Sequence, residues 1–440
     1  MAITLVSEAT TGNSGNDGSV IYSLGGRSVS ADGRYVVYYS YASDLVASDA
    51  NGWSDIFLYD AISQTTTLIS RNPLGDSANY YSEAPSISAD GRYVVYHSFA
   101  SDLVAGDANS SQDIFLYDTV NDTSTLVSKD TSGGGANSGS YNPSISADGR
   151  YVVFSSDGSD LVAGDTNGGI SDIFLYDTVG NTTTLISKST SGGSGSNASF
   201  SPTISGDGRY VVYYSAATGL VAGDANGGIT DIFLYDRVNN TTTLISKDAS
   251  GGDANNISSN ASISADGRYI VYQSTASDLV AGDTNGLADI FLYDTVSQIT
   301  TLVSKDASGD PSNGGSLVPS ISADGRYVVY YSSASDLVAV DANGAFADIF
   351  VYDRLTGTTA LVSVDSGGGG TDNSSFYPAI SDDGSTIFFQ SEASDLVAND
   401  SNGTWDAYLA DNPLFGPAPS GPTVNQDTLS GDGNDNTITF

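Results

Sequence analysis

The stretch Ser88-Ala89-Asp90-Gly91-Arg92-Tyr93-Val94-Val95-Tyr96 decides the fold, because it recurs along the chain. Close copies place their central aspartate at Asp32, Asp90, Asp148, Asp207, Asp266, Asp324 and Asp383, so the spacings are 58, 58, 59, 59, 58 and 59 residues. Asp-Gly is turn chemistry, and Tyr-Val-Val-Tyr suits a pleated, half-buried strand. Outward from the turn, every unit reads alike. A short Pro-Ser-Ile-Ser segment precedes it. A polar loop follows it, then an apolar run such as Asp113-Ile114-Phe115-Leu116-Tyr117-Asp118, then a Thr-rich run ending Ser124-Thr125-Leu126-Val127-Ser128. Four short strands joined by hairpin-length turns, repeated seven times, is the sequence form of a β-propeller.

The ends of the repeat predict how it closes. Val-Val-Tyr and Ile-Phe-Leu-Tyr are apolar on both faces, so each blade needs cover on both sides, as its neighbours give. The last unit has three strands, through Trp405-Asp406-Ala407-Tyr408-Leu409-Ala410-Asp411, and no Thr-rich fourth. That strand sits at the other end of the chain, as Ile3-Thr4-Leu5-Val6-Ser7. The expected fold is therefore all-β: a seven-bladed propeller of four-stranded antiparallel blades over residues 3–411, closed by the N-terminal strand.

These turn and strand residues resemble the TolB-type, WD40-like propeller repeats, built on an Asp-Gly turn, apolar strands and an aspartate-led third strand. The resemblance covers residues 3–411 and implies the fold. It departs from that family at Ala31 and its equivalents, where the family has Pro, and in a longer loop before the third strand.

Charge narrows the function classes. The 440 residues carry 52 acidic and 14 basic side chains, a formal net charge of −38, and only Glu8, Glu83 and Glu392 of the acids are glutamates. Such a field repels phosphate backbones, so nucleic acid is not an expected partner. The absence of Cys excludes disulfides, thiol catalysis and zinc-thiolate sites, and the lone His97 excludes a multi-histidine metal cluster. No stretch approaches the roughly 20 apolar residues that span a bilayer.

The loop between the second and third strands repeats an Asp-x-Asn-Gly…Asp pattern. Its members are Asp49/Asn51/Asp55, Asp107/Asn109/Asp113, Asp165/Asn167/Asp172, Asp224/Asn226/Asp231, Asp283/Asn285/Asp289, Asp341/Asn343/Asp348 and Asp400/Asn402/Asp406. Calcium takes oxygen ligands from flexible carboxylates and amides, and two carboxylates balance its charge, so the loops are expected calcium sites. The pattern resembles the start of an EF-hand loop and the calcium loops of integrin-type repeats. The competing reading is an Asx turn. It gains from the first-to-last Asp distance, which is six in four loops and seven in three.

Other repeated residues read as structure. The Arg after the turn (Arg34, Arg92, Arg150, Arg209, Arg268, Arg326) is expected to pair with a neighbouring Asp. His97 occupies a slot filled elsewhere by Tyr39, Ser155, Tyr214, Gln273, Tyr331 and Gln390, and reads as a partly buried strand residue. A catalytic carboxylate pair should break the sevenfold pattern, and no unique acidic cluster stands out. For ligand binding the candidates are Trp53, Phe346 and Trp405 in the aspartate loops, and Tyr141, Phe200 and Phe376 near the inter-blade loops. Both loop classes emerge on one face, because the strands alternate in direction.

After Asp411, residues 412–428 are Pro- and Gly-rich and read as a linker. Residues 429–440, from Leu429-Ser430-Gly431-Asp432-Gly433-Asn434-Asp435, resemble the start of an RTX calcium-binding repeat, which implies type I-like secretion and a chain that continues further. The expectation is a secreted or cell-surface, bacterial, calcium-binding propeller, monomeric within a larger chain. It would act as a non-catalytic binding or adhesion module for a glycan or extracellular polymer. The alternatives are a polysaccharide lyase or glycosidase with an acidic pocket at the propeller mouth, and a structural spacer.

Overall fold

A computed structural model describes residues 2–417, apart from 22–25, 225, 340, 342, 345, 366 and 401. The RTX-like segment and most of the linker lie outside the described residues. Twenty-eight strands, β1 (Ile3–Leu5) to β28 (Asp406–Asp411), form seven four-stranded antiparallel sheets, the seven blades. Blade 2 shows the pattern: β6 (Ser82–Ile87), β7 (Tyr93–Ser98), β8 (Asp113–Asp118) and β9 (Thr123–Leu126) lie side by side in chain order. Its β7 and β8 are buried almost throughout, whereas β9, at the rim, alternates exposed and half-buried threonines and serine before Leu126. Apolar clusters bridge adjacent blades: Val37, Ile56 and Ile69 of blade 1 pack with Val94, Tyr96 and Phe115 of blade 2. Inside each blade aromatic rings stack, as Tyr96 on Phe115 at 5.9 Å.

The ring closes as the missing strand predicts. β1 pairs antiparallel with β28, Ile3 opposite Ala410 and Leu5 opposite Tyr408, in the same sheet as β26 (Ser375–Ile380) and β27 (Thr386–Ser391). A second closure runs through the Ala-Asp-Gly turns. Ala31 N–H bonds Ala89 O, Ala89 N–H bonds Ala147 O, Ala147 N–H bonds Gly206 O, and so on around to Asp383 N–H on Ala31 O at 3.1 Å. Glycine is needed in these turns for two reasons: Gly91 has φ +75°, and any Cβ there would strike the Tyr35 ring of the preceding blade.

The innermost strands hold a feature the sequence did not announce. In β6 the register against β7 shifts between Glu83 and Ser86, a β-bulge, and Ala84 takes φ +50°. The bulge recurs at Asn142, Ser201, Asn260, Val318 and Tyr377, all at positive φ. A proline follows in most copies (Pro85, Pro143, Pro202, Pro319, Pro378). It suits the place, because the extra residue of a bulge goes unpaired and proline has no N–H to strand. The central channel is narrow, with a cavity of about 40 Å³ lined by Ser144, Ile145, Thr203 and Ile204 and their equivalents. At its turn end Arg27 reaches across to Asp382 at 3.0 Å. The one acid lining this cavity among the described residues is Asp382, the partner of Arg27.

Candidate active site

The inter-blade loops and the second-to-third strand loops meet on one face, and at the boundary of blades 1 and 2 that face loses its sevenfold repetition. Glu83 on β6 and the lone His97 on β7 are directly opposite cross-strand partners. Their Oε2 and Nε2 atoms lie 3.8 Å apart. Tyr41, just beyond β3 (Tyr35–Ser40) of blade 1, donates its hydroxyl to Glu83 Oε1 at 3.2 Å, and Ser54 donates to the same oxygen at 3.3 Å. The imidazole, with these hydroxyls, holds Glu83 below the usual carboxylate range, against burial that pushes the other way. Burial pushes His97 down, so it is neutral at pH 7 although Glu83 pulls it up. His97 Nδ1 accepts the Asn142 backbone N–H at 3.4 Å, which assigns the ring proton to Nε2, on the Glu83 side. Burial and the neighbouring Glu83 charge raise Tyr41, which keeps its proton. The outcome is an ionised carboxylate that faces a neutral imidazole 3.8 Å away and accepts a hydrogen bond from a protonated phenol.

Aromatic rings wall this cluster. Trp53 stacks on Tyr80 at 4.4 Å, and Tyr81 lies 5.0 Å from both Tyr80 and Phe99. Tyr41, Trp53 and Tyr80 remain 45%, 42% and 38% exposed, so the wall faces solvent beside the carboxylate. A second platform joins Phe376 to Trp405 at 5.4 Å and to Tyr331 at 4.9 Å in blades 6 and 7. Of the other aromatic candidates, Phe200 leans on Tyr214 at 5.8 Å, Phe346 is 42% exposed in blade 6, and Tyr141 meets the His97 ring edge-on. Sequence reasoning placed Trp53 and Tyr141 near this face but missed Glu83 and Tyr41. It also read His97 by its column in the repeat rather than by its partner across the hairpin. The available signal was that one of three glutamates faces the only histidine across the first hairpin of blade 2.

The aspartate loops fold as structural clasps. Asp55 is fully buried; its Oδ1 accepts Ser70 Oγ–H at 2.5 Å and its Oδ2 accepts Asn51 Nδ2–H at 2.8 Å. Asn51 also donates to Ala78 O of the inter-blade loop at 2.7 Å, and its Oδ1 accepts Trp53 N–H at 2.7 Å. The serine bond recurs at Asp113, Asp172, Asp231, Asp289 and Asp348, and Ser7 serves Asp406. The asparagine bond recurs from Asn109 to Asp113, Asn167 to Asp172, Asn226 to Asp231, Asn285 to Asp289 and Asn343 to Asp348. Each of these side chains also ties down the inter-blade loop: Asn109 donates to Ala136 O at 2.7 Å, Asn285 to Ser312 O at 3.1 Å and Asn402 to Gly15 O at 2.8 Å.

Loop length now has a meaning. In the four shorter loops the side-chain carbonyl of Asn51, Asn109, Asn285 or Asn402 closes an Asx turn, on Trp53, Ser111, Leu287 and Thr404 respectively. In the three longer ones Asn167, Asn226 and Asn343 leave it buried and unbonded.

The expectation of calcium is thereby corrected. Asn51, Asn109, Asn285 and Asn402 were expected to offer their amide oxygens to a cation, but those oxygens are spent on the backbone of their own turns. The closing carboxylates of Asp55, Asp113, Asp172, Asp231, Asp289, Asp348 and Asp406 are spent on serine hydroxyls. Among the described residues no three His, Cys, Asp or Glu side chains gather as a metal needs. Asp49, Asp107 and Asp283 are buried with oxygens that have no hydrogen-bond partner. Burial raises all three, and Asp224 and Asp341 with them, toward the protonated form. Asp165 accepts the Ser194 hydroxyl at 3.0 Å, and Asp400 accepts that of Tyr408 at 2.6 Å.

The chain is a seven-bladed β-propeller of four-stranded blades, and its described part includes no helix long and apolar enough to cross a membrane. No family model and no curated protein matches the sequence. Solved structures do. An oligogalacturonate lyase in complex with manganese is 13% identical, covering 94% of this chain and 96% of that one with a TM-score of 0.56. The oligogalacturonate lyase of Vibrio parahaemolyticus is 13% identical, covering 94% and 97% with a TM-score of 0.55. A putative TolB from Agrobacterium tumefaciens is 20% identical over 82% and 98%, with a TM-score of 0.44. At these identities the likeness is one of fold. The expectation of a non-catalytic binding or adhesion module is corrected in favour of its lyase alternative, because two of these structures, each matched over 94% of this chain, are oligogalacturonate lyases. The manganese of the first lyase has no fitting donor set here, since the cluster offers one carboxylate and one imidazole whose Nδ1 is already engaged.

Proposed function

We propose that this propeller cleaves a uronate-containing polysaccharide by β-elimination at the boundary of blades 1 and 2. The observation that carries the reading is the Tyr41–Glu83–His97 cluster beside an exposed aromatic wall. Glycoside hydrolysis ordinarily needs two carboxylates flanking the bond. Here a single carboxylate touches a phenol, which suits elimination. Glu83 takes the proton from the carbon next to the uronate carboxylate. The electron pair left behind becomes a carbon–carbon double bond as the bond from the neighbouring carbon to the glycosidic oxygen breaks, and Tyr41 protonates that leaving oxygen. The proton on Glu83 returns to the Tyr41 oxygen through the 3.2 Å contact between them, which resets the pair. The Tyr41 and Ser54 hydroxyls hold the carboxylate in place, with the His97 imidazole facing it across the hairpin. Trp53 and Tyr80 give a sugar ring a face to stack on, and Phe376 with Trp405 offers a second platform further along the chain. A polymer of this size is met outside the cell, so the reading places the protein in a secreted or cell-surface setting.

Incubation with polyuronates and with neutral polysaccharides tests the proposal. Elimination gives both new reducing ends and the ultraviolet absorbance of an unsaturated uronate; hydrolysis gives reducing ends alone. Elimination products support the reading. Hydrolysis, or no cleavage of any polymer, sinks it.

A further inference from the structure

On the face opposite the aromatic wall, the segment after β28 sits on one of the repeated Arg–Tyr turns. Tyr327 donates its hydroxyl to Leu414 O at 3.1 Å and accepts Gly416 N–H at 3.3 Å, while Arg326 Nη1–H bonds Gly416 O at 2.7 Å. The Phe415 ring lies 6.5 Å from the Tyr327 ring, and Leu414 packs against the apolar cluster joining blades 6 and 7. The guanidinium is held ready for this: its Nε and Nη2 grip Asp353 at 3.2 and 2.8 Å, and its carbon lies 4.6 Å over Tyr327. One arm of the fork thus remains to bind a peptide carbonyl.

The same fork recurs on other blades. Arg34 grips Asp60, Arg92 grips Asp118 and Arg209 grips Asp236 through the same two nitrogens. Each guanidinium lies 4.6 to 4.8 Å over the ring of Tyr35, Tyr93 or Tyr210. These three arginine side chains are 37% exposed, against 10% for Arg326. An exposed aliphatic residue stands two positions beyond each paired aspartate: Ile62 at 74%, Val120 at 70% and Val238 at 66%, where Leu355 beside Arg326 is 47%. Two further copies are closed from the next blade, by Arg237 over Tyr151 at 4.2 Å and Arg354 over Tyr269 at 4.1 Å.

We propose that Arg34/Tyr35, Arg92/Tyr93 and Arg209/Tyr210 are three docking sites for an extended, proline-flanked segment of a partner protein, of the kind the chain's own Pro413–Pro417 segment presents to Arg326 and Tyr327. Recognition runs through main-chain carbonyl and N–H groups, with an apolar or aromatic side chain beside the ring. The net charge of −38 selects against acidic peptides. This surface is separate from the site at Glu83 and stands whether or not that site cleaves polysaccharide.

The test is titration of a fluorescein-labelled Asn-Pro-Leu-Phe-Gly-Pro peptide into the full chain, read by anisotropy and calorimetry. Saturable binding to three equivalent sites is expected. A Tyr35→Phe, Tyr93→Phe, Tyr210→Phe triple variant keeps the ring packing and removes the hydroxyls; it should bind about tenfold more weakly, the loss of one good hydrogen bond per site. Arg→Lys at positions 34, 92 and 209 keeps the charge, loses the fork and should weaken binding likewise. Tyr151→Phe with Tyr269→Phe should change nothing. Absence of saturation at millimolar peptide, or equal binding by the Phe and Lys triple variants and the native chain, overturns the proposal.

Discussion

Ser7 donates its hydroxyl to Asp406 Oδ1 at 2.6 Å across 399 residues of sequence, and the Ala407 N–H returns to Ser7 Oγ at 3.1 Å. Ser128 makes the same pair of bonds, to Asp113 and from Ile114, inside blade 2. The joint between the chain's two ends is therefore built like any interior blade. Ser7→Ala should cost about as much stability as Ser128→Ala, on the order of 1–3 kcal/mol for leaving a buried carboxylate short of a partner. Thermal unfolding of the two variants checks this. A silent Ser7→Ala beside a damaging Ser128→Ala would mean that the N-terminal strand is not a clasp.

The same clasps set how stability depends on pH. Burial raises Asp55, Asp113 and Asp406 to about 7, and Asp172, Asp231, Asp289 and Asp348 to about 6. An unfolded aspartate titrates at about 3.9, so between about pH 4 and 7 the folded chain holds more protons than the unfolded one, and stability falls as pH rises through that window. The arginine-paired Asp118, Asp177 and Asp236, held to about 2 by their guanidinium partners, act oppositely: they stabilise above the unfolded value and lose that contribution as pH falls through about 2. The melting temperature should peak at about pH 4–5 and decline toward pH 8. A steady rise from acid to neutral pH would show that the clasp aspartates are ionised in the native state.

His97 does a second job that separates its roles. Its Nδ1 accepts the N–H of a bulge residue in the next blade, as Gln273 Oε1 does for Val318 N–H at 2.9 Å. In the blade 7 counterpart, Gln390 Oε1 accepts Ile21 N–H at 2.9 Å. His97→Gln should therefore keep the fold, whereas His97→Ala strands a buried N–H and should cost about 1–3 kcal/mol. His97→Gln should still shift the acid limb of the pH–rate profile upward, because the imidazole is the chief influence holding Glu83 down. An unshifted profile would remove His97 from the catalytic arrangement.

Protein and polyuronate are both anions, so their approach is opposed by charge and helped by stacking. At low polymer concentration the rate should climb as salt is added from ~0.01 M to ~0.15 M, where the screening length shrinks from about 30 Å to about 8 Å. A rate that falls with salt would point to a neutralising cationic patch not seen in the cluster.

Blade number, strand order and closure were legible because a long repeat reports itself: the Asp-Gly turn at Asp90 and the missing fourth strand after Asp411 are local facts. The aspartate loops were half legible. Asp-x-Asn serves a metal or an Asx turn equally well in sequence, and only the bonds of Asn51 to Asp55 and Ala78 O decide. The bulges were hidden because Ala84 or Val318 at positive φ carries no residue signature. The site was hidden for a different reason. Comparing units column by column marks Glu83, His97 and Tyr41 as three unremarkable substitutions, and only the fold sets two strands of blade 2 against the edge of blade 1.

Glu83 carries the central claim, and its removal tests it most directly. Formation of unsaturated uronate from a polyuronate should be measured for the native chain, Glu83→Gln and Glu392→Gln. Glu83→Gln should lose at least about a hundredfold in rate, the low end for a general base, with its melting curve unchanged. Glu392→Gln should match the native chain. Full activity in Glu83→Gln would contradict the account.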